Sequence, residues 1–172
     1  MRALSLEHEK PLLFGHSDGA TIALLFAAME NSPVRAAIAV APHINVEDIT
    51  QQSVAASADW YENRGLKQRL ERYHDDVDST FWRWCNAWKS DAFKGWNIEA
   101  LLPAIKCPLL VVQGDEDEYA SLEQIYGIKR AVPHAQLIVM PRVRHSPHIE
   151  RPEQLLEHCH AFLSSLEKER QQ

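Results

Sequence analysis

The 172-residue sequence has no apolar stretch near the ~20 residues that a membrane-spanning helix needs, so no transmembrane segment or membrane partner is expected. Met1 to Lys10 carries charges throughout and lacks the apolar core of a signal peptide. The cytoplasm is therefore the expected compartment. Cysteine is sparse: Cys85, Cys107 and Cys159 are odd in number and have no C-x-x-C spacing. They read as small buried hydrophobes in a reducing compartment, not as a disulfide framework. No basic stripe stands out, and the formal net charge of −6 argues against nucleic acid as a partner and reads as a solubility feature. Nothing resembles a phosphate loop or a dinucleotide fingerprint, and no cofactor is expected. Metal binding is not expected either. His145-x-x-His148 and His158-Cys159-His160 are the candidate ligand groups, and helical residues two apart point to different faces. Internal repeats and low-complexity linkers are absent from the sequence.

What remains is an ordinary globular composition, 45% hydrophobic and 24% charged, long enough for one domain with a sizeable core. Residues 2 to 9 read as the tail of a helix broken at Pro11. Pro11 to Phe14 is a short apolar run that suits a parallel strand buried on both faces. The helical run Thr21 to Glu30 follows, with Ile22, Leu25, Phe26 and Met29 at helical spacing, and Asn31-Ser32-Pro33 ends it. Val34 to Val40 is a second strand, completing a βαβ unit. From residue 43 to 103 the strand signals vanish. Val46–Asn63, Leu66–Tyr73 and Ser79–Trp88 read as helices, and all five tryptophans, including Trp82, fall in this segment. A helical insertion of this kind is expected to form a cap over the carboxyl ends of the strands, its tryptophans mostly building its own small core. The core is then 1–42 and 104–172. Within it, Pro108–Gln113 and Gln136–Met140 are further strands, Ser121–Val132 is a helix, and Pro141–His148 is a loop. The last helix begins near Pro152 with Leu155, Leu156, Cys159, Phe162, Leu163 and Leu166 on one face, and its charged tail, Glu167 to Gln172, is expected to fray. The fold class is α/β, with a parallel sheet of about four strands flanked by helices.

Between the first strand and its helix stands Gly15-His16-Ser17-Asp18-Gly19. Read physically it is strand, sharp turn and helix, with a serine at the tip. Glycines on either side permit a strained turn and a close approach of strand and helix. Serine is a poor nucleophile unless an imidazole takes its proton and a carboxylate orients that imidazole. Candidates occur in the loops after the later strands, where α/β folds place their sites. The acid is read as Asp117, three residues past Gly114, with Asp115, Glu116 and Glu118 read as a solvated turn. The base is read as His145, with His148 as competitor.

These motifs resemble the α/β-hydrolase superfamily, in the branch with a helical cap. G-H-S-D-G with its helix, Q-G-D-E-D after a strand, and H-S-P-H-I-E-R-P-E before the terminal helix match together, from Leu4 to about Leu166. The resemblance implies Ser17 as nucleophile, Asp117 as acid, His145 as base, and the backbone N–H of Asp18 as half of an oxyanion hole. Arg144 departs from the glycine that many members carry before the histidine. The serine-aspartate-glycine elbow is also similar to that of valacyclovirase-like (biphenyl hydrolase-like) members, where the aspartate recognises a substrate ammonium, although His16 replaces their usual tryptophan. Asp18, His16, Trp82 and His148 are accordingly candidate substrate contacts, for a small-molecule substrate.

The family fold has eight strands, and this chain supplies the last four. Met1-Arg2-Ala3-Leu4 reads as an internal piece of a helix, which leads to the expectation of a form lacking the N-terminal strands, with impaired activity. Leu12-Leu13-Phe14 would then be an apolar edge strand, a route to homo-oligomers or other edge association. The expected activity is hydrolysis of a small ester or related acyl substrate through an acyl-serine intermediate. The alternatives are a non-catalytic remnant or ligand-binding module of the same fold, and a carbon–carbon bond hydrolase or perhydrolase using the same three residues. A haloalkane dehalogenase would need a carboxylate where Ser17 stands.

Overall fold

The computed structural model describes residues 9–169. The reading of residues 2 to 9 as a helix tail, and of Met1 to Leu4 as an internal helix piece, falls almost wholly outside the described residues. Two compact units are present, one comprising the chain up to Ile44 and from Ile98 onward, the other Asn45–Asn97.

The first unit is built on four parallel strands: β1 (Leu12–His16), β2 (Ala36–Val40), β3 (Leu109–Gly114) and β4 (Gln136–Met140), in the order β1-β2-β3-β4. The central pair is buried along its whole length, as near-continuous apolar runs in a parallel sheet should be. One face, carrying Ala36, Ile38, Val40, Leu110 and Val112, packs on the terminal helix α7 (Pro152–Glu169) through Leu155, Cys159, Phe162 and Leu166. On α1 (Asp18–Ala27), which packs against β1 and β2, the buried residues are Ala20, Thr21, Ala23, Leu24 and Ala27. The small side chains of both partners allow that close approach. A 3-10 helix (Glu99–Ala104) contacts α1 and the later helix α5 (Glu123–Ala131).

Two expectations about burial are corrected. The run Leu12 to Phe14 is not buried on both faces: β1 pairs only with β2 among the described residues, and Leu12 and Phe14 are exposed. On α1 the alanine-rich face seats on the sheet, while Ile22, and Met29 just beyond the helix, are exposed. On α7, Leu156 is 67% exposed, since it sits about 100° round the helix from Leu155 and off the four-residue stripe that meets the sheet. The helix also continues through Glu167 and Lys168 to Glu169, where fraying was expected.

The second unit holds α2 (Asp48–Asn63), α3 (Leu66–Leu70) and α4 (Val77–Lys89). Asp76 caps α4 by accepting the backbone N–H of Ser79 at 2.9 Å. The ring of Tyr61 stacks on Phe81 with centroids 3.9 Å apart, and its hydroxyl donates to Asp78 Oδ1 at 2.7 Å. Burial, then that carboxylate, pushes the Tyr61 phenol up to about 12. Trp88, Phe93 and Trp96 form a second aromatic cluster. The two ends of the unit are tied by an antiparallel bridge between Asn45 and Asn97.

Candidate active site

Chain reversal between β1 and α1 is concentrated at Ser17, which adopts φ 55° and ψ −122°. A non-glycine residue in this region is strained by roughly 1–3 kcal/mol, and such strain persists only where the surroundings enforce it. Here the Ser17 N–H donates to the Val40 carbonyl at 2.9 Å, while the Ser17 carbonyl accepts from Ala20 N at 2.9 Å. Gly15 is required: a Cβ there would overlap the carbonyl of Gly19. Gly19 is different. A Cβ on Gly19 meets nothing within 4 Å, so the close approach assigned to both glycines is made at Gly15 alone.

The loops after β3 and β4 bring two further side chains to the serine. His145 Nε2 lies 2.9 Å from Ser17 Oγ. His145 Nδ1 lies 2.9 and 3.0 Å from the two carboxylate oxygens of Asp117. The Asp117 side chain is fully buried, and Oδ1 also accepts the Tyr119 N–H at 2.9 Å. A carboxylate with two donors keeps its orientation, which fixes the imidazole with Nδ1–H toward Asp117 and the Nε2 lone pair toward the serine.

Buried glutamines hold the loops after β3 and β2. Gln113 Nε2 donates to the carbonyls of Ala120 and Ser121, closing the acidic turn, and Gln124 Oε1 accepts the Ile44 N–H at 2.6 Å. Gly114 permits the two loops to touch, since a Cβ there would overlap the Val143 carbonyl. The backbone distortion of the β4 loop sits at Arg142, with φ 56°, and not at Arg144. Arg144 instead donates its side chain to Glu118 and its N–H to Glu150.

The other candidates divide. Asp18 is the half-buried first residue of α1, so its N–H belongs to the helix end that has no intrahelical acceptor. His16 Nε2 is engaged with the His145 carbonyl at 2.8 Å; because a carbonyl only accepts, Nε2 carries the proton. Burial is the main influence holding the His16 imidazole below its ordinary pKa, outweighing the raising effect of that bond. His148 is exposed, and its ring meets that of His16 edge-on at 4.5 Å rather than reaching the serine or Asp117. Trp82 belongs to the second unit, where its ring meets Tyr61 and Phe81. Glu118 is more than part of a solvated turn: it accepts the His145 N–H at 3.1 Å and pairs with Arg144 at 2.9 Å. The acidic turn offers other acceptors too, and Asp115 takes the Arg142 N–H.

Residues the motifs did not single out also line the site. The ring of Tyr119 is 4.6 Å from that of His145, and the ring of His43, from the loop after β2, is 5.9 Å away. His43 is locked in place by reciprocal bonds with the Thr21 hydroxyl. Its only sequence signal is a position just past a strand end. Among the described residues no group of three or more His, Cys, Asp or Glu is placed to hold a metal ion, and no helix is long and apolar enough to cross a membrane.

Comparison with known proteins gives a consistent picture. Residues 2–158 match the alpha/beta hydrolase family. Lipase 1 of Psychrobacter immobilis is 37% identical over 70 residues, a stretch that is 41% of this chain and only 22% of that lipase. Among solved structures, a carboxylesterase of the ammonia-oxidizing thaumarchaeon Nitrososphaera gargenis superposes with a TM-score of 0.70 at 21% identity, over 98% of this chain and 70% of the other. A thermophilic esterase of Thermogutta terrifontis gives 0.63 at 21% identity, over 96% and 68%. At these identities the structural likeness speaks for the fold.

Proposed function

This chain belongs to the alpha/beta hydrolase family and is similar to a lipase and to esterases, and we propose that it is a serine hydrolase of small esters or related acyl compounds. The observation that carries the reading is the continuous row Ser17 Oγ, His145 ring, Asp117 carboxylate, with every contact at 2.9–3.0 Å.

The chemistry follows from that row. His145 Nε2 takes the Ser17 hydroxyl proton as the oxygen attacks the acyl carbon. The carbonyl π pair moves to oxygen, and the resulting oxyanion is stabilised by the positive end of α1, where the family resemblance assigns the Asp18 N–H as one donor. Asp117 stays ionised and stabilises the imidazolium while holding its tautomer. Collapse of the tetrahedral species breaks the bond to the leaving oxygen, which takes the proton from His145 Nε2–H. The acyl-Ser17 ester is then hydrolysed by water activated in the same way, restoring the serine. Because this chain spans 60–71% of the length of the similar solved structures, turnover is tested on the chain directly.

A short-chain p-nitrophenyl ester tests it. A burst of p-nitrophenol equal to the enzyme concentration, absent in Ser17→Ala, supports the acyl-serine route. Turnover unaffected by Ser17→Ala sinks it, and so does a folded protein that releases nothing from a panel of esters.

A further inference from the structure

The ring of His145 is held by Ser17 and Asp117, but its peptide group is held as well, by the sequence neighbours of those two residues. His16, immediately before Ser17, donates from Nε2 to the His145 carbonyl at 2.8 Å. Glu118, immediately after Asp117, accepts the His145 N–H on Oε2 at 3.1 Å. Two dipeptides from distant parts of the chain thus each place one side chain on the ring of His145 and one on its backbone. We propose that His16 and Glu118 are positioning residues that set the imidazole between nucleophile and acid by gripping the backbone C=O and N–H of His145. The proposal rests on reading His145 as the base.

The arrangement is suited to this task for a physical reason. His145 lies on a loop, between β4 and the short helix α6 (Pro147–Glu150), where backbone position is least determined by regular hydrogen bonding. Its N–H and C=O belong to no ladder, so side chains must fix them. Both grips are stiffened. Glu118 is bound on its other oxygen by the Arg144 side chain at 2.9 Å. The two N–H groups flanking that of His145, at Arg144 and Ser146, donate to the carboxylate of Glu150 at 3.1 and 3.3 Å. The His16 ring is wedged between the rings of His145, at 5.0 Å, and His148, at 4.5 Å. With its ring N–H pointed at the His145 carbonyl, the neutral His16 ring has Nδ1 left as an acceptor and no ring donor to spare.

The test uses the full chain and four variants. His16→Leu and Glu118→Met keep volume and lose the bond. His16→Gln keeps a donor where Nε2 stood, and Glu118→Gln keeps an acceptor. Activity on a p-nitrophenyl ester is expressed per serine titrated by a fluorophosphonate, so unfolded protein does not count. The Leu and Met variants are expected to lose on the order of 10- to 100-fold in kcat, with KM within about twofold, as a displaced base costs chemistry and not binding. The Gln variants are expected to return to within about fivefold of the parent. In parallel, the His145 Nδ1–H proton resonance should broaden in the Leu and Met variants and persist in the Gln variants. An unchanged kcat, a loss confined to KM, or Gln variants as impaired as Leu and Met overturns the proposal. If the parent chain hydrolyses no ester, the hydrolase reading fails, and the resonance alone decides: loss and rescue support the grip, indifference to the substitutions overturns it.

Discussion

The carbonyl oxygen of Gly19 occupies the space in which a Cβ on Gly15 would stand. That contact, between the end of β1 and the first turn of α1, brings strand and helix together closely enough for Ser17 to sit at φ 55° with its hydroxyl 2.9 Å from His145. The two glycines of the elbow are therefore unequal, although they are symmetric about the serine in sequence.

Their substitution should separate them. Gly15→Ala forces backbone apart and is expected to lower stability by about 1–3 kcal/mol, with loss of activity. Gly19→Ala meets open space in a helical conformation and is expected to be neutral or to stabilise by up to ~1 kcal/mol. Urea melts of the two variants check this, and equal destabilisation would contradict the packing described.

Asp117→Asn should leave the fold intact, because an amide can still accept the Tyr119 N–H. Its kcat is expected to fall by about 10⁴, since the amide no longer enforces the Nδ1–H tautomer of His145. Steady-state kinetics beside a far-UV spectrum measure both halves. A loss below about tenfold would show that Asp117 does not orient the base.

Stability should also carry a pH signature from His16. Burial holds its folded pKa below the ordinary 6.5. Between the folded and ordinary values the unfolded chain binds the extra proton, so stability falls as pH drops from about 6.5 through that window and levels off below the folded value. His16→Gln removes this contribution. The melting temperature of the parent is thus expected to decline more steeply on acidification than that of the variant; parallel declines would refute the assignment.

Much of this was legible in the sequence, and the parts that were not have physical reasons. The strand runs from Val34 to Val40 and from Pro108 to Gln113 correspond to β2 and β3 because the centre of a parallel sheet demands apolar residues on both faces. The choice among Asp115, Glu116, Asp117 and Glu118 could not come from composition. It depends on which side chain turns inward, and only Asp117 faces the ring of His145, with a fully buried side chain. On α1 hydropathy alone does not mark the buried face, since Ile22 is exposed while Ala20, Ala23 and Ala27 are buried. His43 reaches the site through the geometry of the loop after β2, which no spacing encodes, whereas Glu150 stands inside the motif that carries His145.

The terminal helix offers a direct check on its own stripe. Phe162→Ala removes a ring buried against β2 and β3 and should cost about 3–5 kcal/mol. Leu156→Ala, only one helical step from Leu155, should change stability by less than about 0.5 kcal/mol. Denaturant midpoints at constant slope give both values.

If Ser17 is an activated nucleophile, covalent labelling should find it. Folded protein is treated with a fluorophosphonate and the adduct is located by peptide mass. One adduct per chain is expected, on Ser17, absent in Ser17→Ala and slowed by orders of magnitude in His145→Gln. Folded protein that remains unlabelled at Ser17, or that labels equally well without His145, would contradict it.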